Sequence, residues 1–358
     1  MNLHLLPGPA PLRTVVVGAG GMGMTWLRAV QAHPGFDLVG IADLDERRAR
    51  GAAIRLRRPD LTVTGDLAGQ LAQAPDVCVN ITPPAAHFAV SSSALSAGLS
   101  VLSEKPFAAT LEEAVALTRL AGERGRLLMI AQSRRYEPGL ERLRDVARTL
   151  GPLGLVSVEF HRAYRDAGFR LAMDHPLLLD MAPHTFDAVR FVTGERPVAV
   201  SATEYNPPGS WYAGPAAAIV AVEYTNGVHL GYTGSWCSEG LETSWTGRWR
   251  VSGSHGSAAW DGETAPVAEI RADLPPAAAA TTEPGQASAD PAALVTAALD
   301  EFAAALRGGP PPWGEASDNL LTFATAQAAI ESARRGVRVE VDELLARHGA
   351  ELGPKAAR

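Results

Sequence analysis

Thr14-Val15-Val16-Val17-Gly18-Ala19-Gly20-Gly21-Met22-Gly23 joins a β-branched strand to a glycine turn, and Trp26, Leu27 and Val30 continue it on one face of a helix. Each glycine of the G-x-G-x-x-G pattern has a physical task. Gly18 permits the tight turn, Gly20 lets a pyrophosphate approach the backbone, and Gly23 allows close packing of helix on strand. With Gly21 and Met22, they leave the N–H groups of a helix N-terminus directed at phosphate oxygens. The six-residue pattern is weak alone and gains meaning from an acidic residue at the end of the next strand.

That second strand, Phe36 to Ala42, ends at Asp43, twenty residues after Gly23. An acid there accepts hydrogen bonds from ribose hydroxyls and repels a 2′-phosphate, so NAD is expected as cofactor. Arg47 and Arg48 on the next helix could meet a 2′-phosphate, which keeps NADP open. Asp43 also reads as a helix N-cap, and the two roles are compatible. Strands at 61–63, 76–81, 100–103 and 127–130 then alternate with helical stretches at 45–56, 67–73, the segment after His87, and 110–124. This alternation predicts a doubly wound parallel sheet, with ligands beyond the carboxyl ends of its strands. Gly18 to Gly23, Asp43, Thr82-Pro83-Pro84 and Glu104-Lys105 fall on that edge. His87, one turn into a helix opened by Pro83-Pro84, reads first as a structural or capping group and second as a cofactor contact.

Lys105 is unusual for another reason. Thirty of the 32 basic residues are arginine, and the only other lysine is Lys355 in the C-terminal tail. A lysine offers a compact ammonium whose pKa responds to burial, where a guanidinium stays charged and forked. The composition therefore favours a chemical role for Lys105 over a surface charge pair with Glu104.

Beyond Gln132 the pattern changes to strands at 154–161, 198–205, 217–224, 229–235 and 248–252, which predicts a second domain built on a sheet. The expected division is 1–131 for dinucleotide binding and 132–358 for substrate binding and oligomerisation. The second part contains Leu177-Leu178-Leu179-Asp180-Met181-Ala182-Pro183-His184-Thr185-Phe186-Asp187. At a spacing of four, Asp180 and His184 share a helix face, where the acid can orient the imidazole for general-base work. Asp187 is a second candidate orienter. An N-capped helix with a solvent-facing histidine is the competing reading. Pro183 fits only the first turn. Trp236, Trp245, Trp249 and Trp260 read mainly as packing or interface residues, with an aromatic wall for a sugar ring as the second reading. The segment 274–291 is expected to be a long surface loop.

The 358 residues carry a net charge of −7, are 46% apolar, and contain no long basic block, so no nucleic-acid partner is expected. No run approaches a membrane span and the first residues lack the apolar stretch of a leader, so the chain reads as cytoplasmic. Cys78 and Cys237 do not form a disulfide framework, and the histidines lack zinc spacing, so no metal is expected.

Taken together, these motifs make the chain resemble the Gfo/Idh/MocA family of NAD(P)-dependent oxidoreductases, which includes inositol and sugar dehydrogenases. The resemblance rests on the glycine turn, Asp43, Thr82-Pro83-Pro84 with His87, Glu104-Lys105-Pro106, Arg134-Arg135-Tyr136 with Pro138, Asp180-x-x-x-His184 and the closing 329–339 segment. It implies a Rossmann domain followed by an α/β domain with a large, mostly antiparallel sheet, and a homodimer or homotetramer. It also points to a cis Lys105–Pro106 peptide, a form taken by about 5–6% of X-Pro bonds. Hydride transfer between NAD(P) and a secondary alcohol of a sugar, cyclitol or related polyol is the implied activity. In it His184 serves as base, Asp180 as its orienter and Lys105 as partner of the reacting oxygen, with Glu104 positioning Lys105 and Arg135 as a substrate contact. Two alternatives belong to relatives: glycoside cleavage by transient oxidation and elimination, and NAD sensing without catalysis. The chain departs from the family where a glycine commonly lies between the Asp and the His, since Met181-Ala182-Pro183 stands there.

Overall fold

The computed structural model describes residues 3–271 and 290–350. The chain divides into two compact units, Met1–Ser133 with Asp290–Leu320, and Arg134–Ala289 with Leu321–Arg358. Residues 290–320, expected in the second domain, thus return to the first unit.

In the first unit, strands β1 (Leu12–Val17), β2 (Phe36–Ala42), β3 (Thr62–Thr64), β4 (Val77–Asn80), β5 (Ser100–Glu104) and β6 (Leu128–Ala131) form one parallel sheet in the order β3-β2-β1-β4-β5-β6. Helices α1 (Gly21–Ala32), α2 (Glu46–Arg55), α3 (Pro84–Ser96) and α4 (Leu111–Arg124) supply the crossovers. Val15, Val16, Val77, Cys78, Val79, Val101 and Leu102 are almost wholly buried, as strands covered on both faces require. Strand order reverses between β1 and β4, so the switch point lies between Gly18 and Thr82.

In the second unit, α5 (Pro138–Ala147), β7 (Leu153–His161), α6 (Ala182–Thr193), β8 (Pro197–Tyr205), β9 (Ala217–Tyr224), β10 (His229–Ser235), β11 (Arg248–Gly253), β12 (Gly256–Trp260) and β13 (Val267–Ile270) succeed one another in chain order. Helix α7 (Pro291–Leu306) returns to the first unit, where it packs on α1. The chain closes with α8 (Ala316–Arg335), β14 (Val339–Glu340) and α9 (Val341–Arg347). The eight-stranded sheet runs β13-β12-β11-β7-β10-β9-β8-β14 and is antiparallel except for β7 beside β10. It is one-sided. Val156, Val158, Phe160, Val220, Val222, Leu230 and Tyr232 are buried, while Leu155, Ile219 and Val267 are exposed on the alternate face.

The expected loop at 274–291 lies outside the described residues as far as 289, and Asp290 then caps α7 with Pro291 in its first turn. Trp249 and Trp260 are cross-strand partners with ring centroids 6.4 Å apart, both buried. Trp245 precedes β11 and shares no strand face with Trp249. Among the described residues, no helix is long and apolar enough to cross a membrane.

Candidate active site

The glycine turn is closed tightly against the switch point. Gly18 has φ +106°, and a Cβ there would lie 2.4 Å from the Ile81 carbonyl oxygen, while one on Gly23 would meet the Gly18 oxygen at 2.4 Å. No side chain fits either place. Gly20 and Gly21 face open space, and Gly20 precedes α1 as a cap with no side chain to bond, so the first N–H groups of the helix remain available to a phosphate. Met22 is 50% exposed in the same turn.

Asp43 is buried at the end of β2. Its Oδ2 accepts from Ala19 N–H at 2.8 Å and its Oδ1 from Asp45 N–H at 2.9 Å, with Arg48 Nη1 at 3.4 Å. The carboxylate thus braces the glycine turn while retaining lone pairs for a ribose hydroxyl. The cap of α2 is Asp45, which accepts from the N–H groups of Arg47 and Arg48, so the capping role considered for Asp43 belongs two residues later. These features fit a dinucleotide.

At the end of β4, Asn80 is fully buried and organises the next turn. Its Oδ1 accepts from Thr82 N–H and Oγ1, and its Nδ2 donates to Ser91 Oγ and the His87 carbonyl. The His87 ring lies between two carbonyls, Nδ1 2.7 Å from Pro106 O and Nε2 2.8 Å from Thr82 O. It ties the Thr82-Pro83 turn to the loop carrying Lys105. Burial pulls its pKa below the ordinary histidine value, against the two carbonyls and with help from the Lys105 charge.

The Lys105–Pro106 peptide is cis. Glu104 holds it in place: Oε2 accepts from the Lys105 N–H at 3.0 Å, and Oε1 accepts from Trp26 Nε1 at 2.8 Å. Trp26 belongs to the helix that starts at the glycine turn and is fully buried. One carboxylate therefore links the dinucleotide helix to the lysine. Trp26 stood in the sequence only as part of an apolar helix face, and no local pattern marks a partner 78 residues away.

In the second unit, Leu177–Met181 form a π-helical turn that runs into α6, where Pro183 occupies the first turn. Such turns recur at functional sites. Asp180 and His184 are both buried. Arg170, from the short helical turn Gly168–Ala172, forks onto Asp180, with Nε 2.7 Å from Oδ2 and Nη2 3.3 Å from Oδ1. Burial lowers the Arg170 pKa, yet the charge and hydrogen bonds of Asp180 outweigh it and the net shift is upward. Arg170 is a functional candidate that no sequence motif marks.

Arg135 is held in the interior of the second unit. Its side chain is 2% exposed and forks onto the equally buried Asp187, which also accepts from Thr322 Oγ1 at 3.1 Å. Arg190 Nη1 donates to the same Thr322 hydroxyl. Arg135 and Asp187 thus pin the turn after β6 to α6.

Residues 12–132 match the family model described as "Oxidoreductase family, NAD-binding Rossmann fold", and residues 143–259 match the one described as "GFO/IDH/MocA C-terminal domain". Over 336 residues the chain is 30% identical to the rhizopine catabolism protein MocA of Rhizobium meliloti, covering 89% of this chain and 94% of that one. It is 32% identical over 192 residues to the UDP-N-acetylglucosamine 3-dehydrogenase of Acidithiobacillus ferrooxidans, 53% of this chain and 57% of the relative. Among solved structures, an oxidoreductase from Agrobacterium radiobacter in complex with NAD+, L-tartaric acid and magnesium superposes with TM-score 0.81 at 20% identity, covering 93% of this chain and 99% of that one. That likeness speaks to fold.

Proposed function

The chain belongs to the Gfo/Idh/MocA family of oxidoreductases, and from that premise we propose that it is a dehydrogenase oxidising a secondary alcohol of a sugar, cyclitol or related polyol with NAD. The observation that carries the reading is the Trp26–Glu104–Lys105 linkage, which fixes a lone internal lysine to the helix of the NAD-binding turn. Gly18, Gly20, Gly21, Met22 and Gly23 with the N-terminus of α1 hold the pyrophosphate, Asp43 the ribose, and Thr82 and Pro83 line the edge beside them. His87 and Glu104 position the Lys105 loop. Bound NAD supplies the hydride acceptor.

The His184 imidazole takes the hydroxyl proton as the carbonyl forms and the carbon-bound hydrogen departs with its electron pair. Lys105 donates a hydrogen bond to the reacting oxygen and stabilises the negative charge that grows there. Asp180, fixed by Arg170, holds the imidazole. Relatives named as dehydrogenases of inositol, UDP-N-acetylglucosamine and glucosides support a sugar or cyclitol substrate. Neither the hydrolase nor the sensor alternative gains support from them. We place substrate binding and self-association in the second unit, whose sheet leaves one face open. A screen of cyclitols, aldoses and their keto forms with NAD and NADP, read by reduced-nicotinamide absorbance, tests the reading. Reduction of NAD by at least one polyol or sugar is expected; sugar release with flat absorbance, or NAD binding without turnover of any compound, contradicts it.

A further inference from the structure

Arg134 has surroundings opposite to those of its neighbour Arg135. It opens the turn after β6 and is half-buried. Its Nη1 donates to the backbone carbonyl of Trp245, and its Nη2 faces Met181 Sδ at 3.6 Å. These are a neutral oxygen and a weak thioether acceptor. Other arginines of the second unit have carboxylate partners, among them Arg135 with Asp187, Arg162 with Glu242 at 2.8 Å, Arg165 with Glu239, and Arg170 with Asp180. Among the described residues, Arg134 makes no ion pair. Burial draws its pKa down to about 10 against the pull of Glu137 and Asp180. A partly desolvated guanidinium without a carboxylate in its fork gains most from a ligand that brings one.

Trp245 is 43% exposed, whereas Trp236, Trp249 and Trp260 are nearly fully buried. Its ring is held from within the protein. The Arg162 guanidinium sits 4.4 Å from the ring centroid, Tyr164 meets it edge-on at 5.5 Å, and Phe160 lies at 6.4 Å. An indole fixed in this way loses little conformational freedom when a flat sugar face covers its exposed part. The residue whose carbonyl holds Arg134 is the one that presents this ring. Met181, the other neighbour of Arg134, directly follows Asp180 in the π-helical turn.

The geometry points to a substrate subsite in which Trp245 takes the face of a sugar ring and Arg134 takes an anionic group on that ring, a carboxylate or a phosphate. The subsite deepens the dehydrogenase reading and rests on it for the identity of the ligand as substrate. Calorimetric titration of the NAD-saturated protein with D-glucuronate, D-glucose 6-phosphate and D-glucose tests it without requiring turnover. At least one anion binds about tenfold or more tightly than glucose, as expected for a charge-assisted pair, and the tighter of the two identifies the group. Arg134→Gln abolishes that preference, Arg134→Lys keeps part of it, and Trp245→Ala weakens every probe. Anions that bind no more tightly than glucose, or not at all, overturn the subsite, as does a preference that survives in Arg134→Gln. Anion preference without cofactor reduction by any compound would instead count against the dehydrogenase reading alone, and reduction by neutral polyols without anion preference would count against the subsite alone.

Discussion

Asp180 receives two hydrogen bonds from Arg170, and this fork compensates the burial of its carboxylate in the turn that runs into the helix of His184. Arg170→Leu removes both bonds. Turnover is expected to fall about tenfold or more with NAD affinity unchanged, because charged hydrogen bonds contribute about 1.5–3 kcal/mol each; steady-state kinetics beside NAD titration checks this, and unchanged turnover refutes the role. At this scale the sequence was legible wherever composition or backbone geometry restricts the residue type. Lys105 stood out because arginine fills nearly every other cationic position, and Gly18 and Gly23 because a Cβ collides with backbone at both. Arg170 and Trp26 were not legible. Their importance lies in hydrogen bonds to residues 10 and 78 positions away, which no local period encodes. Arg134 and Arg135 are adjacent, and only the fold decides which of the two meets Asp187.

Among elements, the loop after β5 depends on His87. Its pKa is depressed in the folded chain below the unfolded value of about 6.5. Above that pH both states hold a neutral ring and the full stability is present. As pH falls below it the unfolded chain binds the proton preferentially, so stability is lost toward the folded pKa. Thermal unfolding between pH 7.5 and 5 should show this acid-side loss, and His87→Gln should lessen it; identical profiles would refute the assignment. The turn after β6 is pinned differently. Arg135→Met strands Asp187 without its guanidinium, and the expected loss is about 3–5 kcal/mol in denaturant unfolding, with the sugar preference unchanged in whatever protein remains folded. A loss of substrate affinity at normal stability would mark Arg135 as a substrate contact. Strands β9 and β10 span the expected residues because one-sided burial imposes a clean alternation. The π-helical turn was not legible, since its extra residue per turn leaves the sequence spacing of Asp180 and His184 untouched.

For the whole molecule, the first unit was legible as a doubly wound sheet because parallel strands buried on both faces read as continuous apolar runs broken at glycine turns. The return of 290–320 was not, since α7 is apolar enough to cover either sheet and its amphipathic face does not name its partner. The exposed face of the eight-stranded sheet carries Leu155, Ile219 and Val267, and the self-association proposed for the second unit would bury this face. Light scattering should give a mass of two or four chains, reduced by Ile219→Glu; a monomer at micromolar concentration would contradict it. In the proposed mechanism NAD reduction depends on Lys105 and His184 together. Turnover and NAD affinity measured side by side in the wild type, Lys105→Met and His184→Asn, with the compound found by the substrate screen, check this dependence. NAD affinity is expected to stay within about twofold in all three, with turnover reduced about a hundredfold or more in each variant. Turnover that persists in either variant, with NAD still bound, would contradict it.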